Sequence, residues 1–251
     1  IFWGAFALFA IVIARRRRVF TAVHGGDVPP AYGQRTWGLI RYAVLQSKMF
    51  RWTHAGAVHY VVFLGSTILL IGNIDFVTGG LPQAILGLPV GVFAALAYLF
   101  YRRIVLRPSR LTLDRTGLAV LTMISLVVST EFIAQAFEVA AYGEIPGAVV
   151  NNALGSLLAP LGAGVTEPAF ALFWWGHVGV LAAFLLFIPT NKHFHVYTSF
   201  VNVWFRKLAP RGELPKMDLE DETATFGLRT LQDLGWKDVL DGFTCTQCGR
   251  C

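Results

Sequence analysis

Four uninterrupted apolar runs dominate the chain, at about 53–77, 88–106, 116–141 and 169–190. Each is close to the roughly 20 helical residues that cross a hydrocarbon core of about 30 Å. A fifth run, 1–14, is shorter, and we read it as the cut end of a further span. None of the five keeps a strict two-residue alternation, so helices are expected rather than barrel strands. Arg15 to Arg18 follow the first run instead of preceding it, which excludes a secretory signal. The expected fold is an all-α membrane protein: a five-helix transmembrane bundle over 1–208, with a cytoplasmic tail, 209–251, that leads into a ferredoxin-like segment. Because the chain opens inside an apolar run and stops inside a cysteine motif, we expect it to be a piece of a longer protein.

Between the runs the pattern is mixed. Segment 35–51 (Arg35, Trp37, Leu39, Ile40, Tyr42, Leu45, Met49, Phe50) sets apolar against basic residues at helical spacing, as in a helix lying along a membrane surface. His193–Phe205 is aromatic and apolar, 209–222 is a Pro- and acid-containing linker, and a short helix is expected over 228–240, broken by Gly242.

Composition agrees with the pattern: 55% hydrophobic and 14% charged residues, with a mean hydropathy of +0.57, exclude disorder, collagen and, with three cysteines, a disulfide scaffold. A net charge of +6 invites a nucleic-acid reading, but the positions of the charges remove it. All 21 Lys and Arg fall in 15–51, in 102–115 or after 190, and the loops 78–87 and 142–168 hold none. On a five-helix layout every basic residue then lies on one side, which the positive-inside rule makes the cytoplasm.

Cys245-Thr-Gln-Cys248-Gly-Arg-Cys251 is C-x2-C-x2-C, the front of the bacterial ferredoxin run that wraps a [4Fe–4S] cube. Its fourth ligand would lie beyond this chain. A zinc knuckle and unrelated structural cysteines are the alternatives. Zinc usually takes paired units or longer gaps, and all three cysteines of the chain fall within seven residues.

An ionisable residue inside a span is costly and marks a functional hypothesis. His177 and His195 are 18 residues apart, five whole turns, so on one helix they share a face about 27 Å apart. Imidazoles at both ends of a helical face suit non-covalent haem, and the absence of C-x-x-C-H excludes covalent attachment. A partner must come from another helix. His59 is the candidate there, since His54 lies about 140° away around the same helix. His54 and His193 suit the membrane interface as polar-tipped rings, and His24 sits in a Gly- and Pro-containing loop. Glu131, Gln135 and Glu138, at offsets of 0, 4 and 7, share a stripe. They are either a packed polar stripe or, at Glu131 above all, a carboxyl that exchanges protons with a quinone. Asn73 and Asp75 mark the exit of the second run.

Trp174-Trp175-Gly176-His177, with Pro189 and His195 following, and Gly56-Ala57-Val58-His59-Tyr60 resemble helices of the nitrate reductase gamma subunit family of cytochromes b. Gly235-Trp236-Lys237-Asp238-Val239-Leu240 and the cysteine motif are similar to membrane-bound iron–sulfur reductases related to heterodisulfide reductase. The resemblance implies that His59 and His195 are axial ligands of an inner haem b. It also implies a second histidine on the His59 helix where this chain has Leu69, which leaves His177 either on a second haem or at a quinone site. The function implied is an oxidoreductase of a bacterial or archaeal cytoplasmic membrane that passes electrons between quinone and cytoplasmic iron–sulfur clusters through haem b. Its soluble partner would be an electron-transfer flavoprotein or a thiol–disulfide substrate, with no nucleic acid. The rival is a haem-free anchor for a soluble iron–sulfur reductase.

Overall fold

The computed structural model describes residues 2–23, 30–51, 53–78, 89–210, 220, 227 and 229–248, the side chains of 2, 69–78 and 89 excepted. Among these residues the structure is helical, without a strand. In chain order the helices are α1 (Phe2–Thr21), α2 (Tyr32–Leu39), α3 (Thr53–Thr78), α4 (Pro89–Tyr101), α5 (Arg115–Tyr142), α6 (Val149–Leu158), α7 (Ala163–Phe187), α8 (His195–Trp204) and α9 (Trp236–Thr244). Among the described residues two stretches are long and apolar enough to cross a membrane, Arg115–Tyr142 and Ala163–Thr190. The expected five are therefore reduced to two by this measure. α1 includes Arg15 to Arg18 in its 20 residues, and the 13 residues of α4 rise only about 20 Å. α3 has 26 residues, about 39 Å, but Leu69, Asn73 and Asp75 have side chains outside the described residues.

The chain forms two units, one of residues 1–9, 47–191 and 247–251, the other of residues 10–46 and 192–246. In the first, Asp114 caps α5 by accepting the Gly117 N–H at 3.0 Å, and Gly143 ends it at φ 106°. α5 and α7 run antiparallel, because Phe137 stacks on Phe173 (5.7 Å, 7°) while Tyr142, further along α5, meets the earlier Phe170 (5.6 Å). Leu121, Ile124 and Val128 of α5 close on Val92 and Leu96 of α4 to make the packed core. α6, unforeseen in a loop without Lys or Arg, packs on α5 through Gly155, whose missing side chain leaves room for Val139 and the Ala136 carbonyl. Gly56, at the start of α3, is pressed against the Met49 carbonyl, and Phe50 meets Tyr60 edge-on at 5.4 Å.

In the second unit α8 is held from two sides. Arg35 of α2 is buried and donates to the carbonyls of Trp204 (2.6 Å) and Arg206 (3.3 Å), placing a cation at the C-terminus of α8. Arg206 returns the contact by donating to the Gln34 carbonyl at 2.9 Å and lying over Tyr42. α9 lies antiparallel on α8. Trp236 meets Phe205 (5.0 Å), Lys237 donates to Asn202 (2.6 Å), and Phe243 meets Phe194 (6.1 Å).

Two local expectations are corrected. His177 and His195 are not on one helix. α7 ends at Phe187, the turn Ile188–Thr190 contains Pro189, and Asn191 is extended (φ −147°, ψ −170°) before α8 begins. Proline cannot donate the next helical hydrogen bond, and the Asn191 side chain takes the Phe187 carbonyl instead. The five-turn register thereby fails. Gly242, for its part, does not stop α9, which continues to Thr244. An interior glycine costs about 1 kcal/mol, which the packing of Phe243 offsets. The expected surface helix over 35–51 is α2, a π-helical turn Ile40–Val44 and a short turn Met49–Arg51.

Candidate functional site

α7 carries His177 into the interface with α5, where the ring is 8% exposed. Its Nδ1 lies 3.0 Å from the Thr130 hydroxyl. That hydroxyl already donates its one proton to the Leu126 carbonyl at 2.7 Å, with Val127 at 3.1 Å. Thr130 can therefore only accept from His177, so Nδ1 carries the ring proton and Nε2 keeps the lone pair. Nε2 is enclosed and makes no hydrogen bond. A buried nitrogen in that state suits a metal or a hydroxyl donor.

One residue after Thr130 stands Glu131, whose Oε2 is also enclosed without a hydrogen bond. Gln135, on the same stripe, is accounted for, since its Oε1 accepts from Asn151 of α6 at 2.7 Å and Asn151 is 3% exposed. Glu138 is half-buried beyond it. The polar stripe thus divides into a structural member, Gln135, and a carboxyl left over, Glu131. Thr130 and Asn151 were not legible as site residues, because neither has meaning until α5 is paired with its neighbours.

His195 opens α8, and its Nδ1 lies 2.9 Å from the Lys192 carbonyl. A carbonyl only accepts, so Nδ1 is the protonated nitrogen, the tautomer in which metal-bound imidazoles are usually held. Burial pushes the pKa of His195 down, against a smaller upward effect of the Lys192 carbonyl, which favours the neutral, ligating ring. His193 meets His195 edge-on at 5.5 Å. His59 is half-buried on α3 and His54 is exposed there. His59 and His177 belong to the first unit and His195 to the second. His24 lies outside the described residues.

Cys245 follows α9 directly, and neither Cys245 nor Cys248 is in a disulfide. Between them Gln247 takes the left-handed conformation, φ 52°. Alternation of hand in a short loop turns successive backbone N–H groups inward, the kind of concavity that receives iron–sulfur clusters. Cys251 lies outside the described residues. Among the described residues no three His, Cys, Asp or Glu side chains form a metal-binding group. His177 and His195 each turn Nδ1 to a protein oxygen, and Cys245 and Cys248 flank a left-handed residue, a donor set of nitrogen and sulfur atoms.

The chain is similar to two curated oxidoreductases. It is 27% identical over 224 residues to the probable iron–sulfur-binding oxidoreductase FadF of Bacillus subtilis (strain 168), covering 82% of this chain and 32% of the relative. It is 26% identical over 245 residues to the EtfAB:quinone oxidoreductase of Syntrophomonas wolfei subsp. wolfei (strain DSM 2245B / Goettingen), covering 87% of this chain and 34% of the relative. The chain therefore spans about a third of the length of these relatives. No family model matches it, and no solved structure matches it.

Proposed function

We propose that the chain is the membrane-embedded, cytochrome b-like part of a quinone-linked iron–sulfur oxidoreductase, resembling the nitrate reductase gamma subunit, with the start of a ferredoxin segment at its C-terminal end. The observation that carries the reading is the antiparallel packing of α9 on α8. It brings the segment entering Cys245 to the end of α8 that begins with His195, whose Nδ1 is turned to the Lys192 carbonyl. Similarity to an iron–sulfur-binding oxidoreductase supports the cluster, and the name of the Syntrophomonas relative supports quinone and an electron-transfer flavoprotein as reaction partners. The two stretches long and apolar enough to cross a membrane, in α5 and α7, support embedding in the bilayer, and the confinement of Lys and Arg to 15–51, 102–115 and beyond 190 supports a cytoplasmic tail in this reading.

In this reading His59 and His195 would hold haem b, and Cys245, Cys248 and Cys251 would be ligands of a [4Fe–4S] cluster. Haem and cluster each pass one electron at a time, whereas quinone chemistry takes two electrons and two protons. The protons need residues of this chain. His177 Nε2 can accept a proton from a quinol hydroxyl while Thr130 holds the other ring nitrogen, and Glu131 supplies a second buried acceptor. The missing histidine at Leu69 favours this quinone role for His177 over a second haem.

The test uses purified full-length protein. A reduced b-type spectrum with one haem per polypeptide is expected by pyridine haemochrome, lost in His59→Ala and in His195→Ala. Cys245→Ser is expected to remove the cluster signal and leave the haem. Wild-type protein without haem overturns the reading in favour of a haem-free anchor, and two haems per polypeptide move His177 to ligation.

A further inference from the structure

The helix that delivers the cysteines is poorly equipped to hold its own position. α9 has nine residues, too few to persist alone in water, and Gly242 lies in its last turn. Yet its end is gripped. Phe243 packs on Phe20 of α1 (5.4 Å, 31°) and edge-on to Phe194 (6.1 Å, 89°), and the Arg16 guanidinium lies 5.2 Å from the Phe194 ring and 5.0 Å from the Phe243 ring. Of the four consecutive arginines Arg15 to Arg18, Arg16 is half-buried and the other three are exposed. A topology signal explains the exposed three, but not a cation placed over two rings at once.

Phe194 precedes His195, and Phe243 stands two residues before Cys245. The ring contact therefore joins the residue before His195 to one two positions before the first cysteine. At the opposite end of α9, Trp236 on Phe205 and Lys237 between Asn202 and Asp241 keep the two helices in register. α9 is thus fastened at both ends, with the more elaborate fastening next to the cysteines.

The geometry points to Arg16, Phe20, Phe194 and Phe243 as a clamp that positions the cluster-binding segment for direct electron exchange with a group held by His195; this rests on the function proposed above. These are positioning residues. Each passage moves one electron from the reduced centre to the oxidised one, with no bond formed or broken and no proton moved, and the clamp residues themselves are neither oxidised nor reduced. Two passages match one quinone–quinol interconversion, whose two protons are handled elsewhere in the chain. An aromatic pair and a cation over a ring face are each modest interactions, but together they set how often a short helix is docked.

The test compares full-length wild type with Phe243→Ala, Arg16→Gln and Phe243→Tyr in membranes. In Phe243→Ala and Arg16→Gln we expect hydrogen exchange across 236–244 to be faster by about tenfold, the scale set by losing a ring pair or a cation–ring contact. Electron equilibration between cluster and haem after rapid reduction should slow in the same variants, while haem absorption and the cluster's paramagnetic signal per polypeptide stay at wild-type levels. Phe243→Tyr restores both rates. Faster exchange with an unchanged electron-transfer rate makes the rings a purely structural packing and overturns the proposal, as does no change in either. Absence of b-type absorption in the wild type instead overturns the proposed function, and the exchange measurement then still reports on the clamp.

Discussion

Gly56→Ala and Gly176→Ala are chemically identical changes in helices beside histidines, and the structure gives them opposite signs. In an unobstructed helix interior glycine-to-alanine stabilises by about 1 kcal/mol. Gly176, next to His177, has nothing within 4 Å of the position of a Cβ. At Gly56 the added methyl overlaps the Met49 carbonyl, which is backbone and cannot swing aside. The turn Met49–Arg51 must retreat, at an overpacking cost of about 1–3 kcal/mol, and the Phe50–Tyr60 contact at 5.4 Å contributes about 0.5–1.5 kcal/mol more when it parts. Subtracting the propensity gain leaves a net loss of about 1–3 kcal/mol, a factor of about 5–150 in local opening. Hydrogen exchange over the first turns of α3 in the full-length protein reads this directly. Equal protection of α3 in Gly56→Ala and wild type would refute the close-approach argument, as would a loss of α7 protection in Gly176→Ala.

Thr130→Val should release the fixed tautomer of His177 and cost about 1–3 kcal/mol for the stranded Nδ1–H, with Thr130→Ser close to wild type; nitrogen NMR of labelled histidine distinguishes the two ring tautomers. Arg35→Met should unravel the last turn of α8 by about 1.5–3 kcal/mol, seen as faster exchange at residues 201–206, because two carbonyls lose a cationic donor. Asp233 accepts the N–H groups of Arg229 (2.8 Å) and Thr230 (2.7 Å), which hold its carboxyl below the usual carboxylate range. Its folded pKa is depressed, so the turn before α9 keeps this support above the unfolded pKa and loses it as pH falls through the lower folded value. Amide protection at Arg229 and Thr230 that fails while ordinary aspartates are still titrating would contradict that sign.

Much of the helix pattern was legible because unbroken apolar runs leave a backbone one economical way to satisfy its polar groups. Run 116–141 became α5 within a residue at each end, whereas α7 begins six residues before run 169–190 and ends three short of it. The break between His177 and His195 was not legible as a change of face. Pro189 announced a disturbance, but the extended Asn191 that ruins the register depends on which carbonyl its side chain captures. Likewise Gly242 looked like a stop, since local propensity cannot see rings arriving from α1 and α8.

The same division runs through the site. Residue type and spacing alone singled out His177, His195, Glu131 and the cysteine run, because imidazoles, carboxyls and clustered thiols are too costly or too reactive in apolar surroundings to need pairing information. Which nitrogen of His177 is bare, which of Glu131 and Gln135 is already spoken for, and which end of α8 faces the cysteines were decided by tertiary structure. Each is a relation between residues 16 to 49 positions apart: Gln135 and Asn151, Thr130 and His177, or Phe194 and Phe243. Hydrogen-bond direction and ring contact are properties of pairs, and the pairs exist only once the helices have packed.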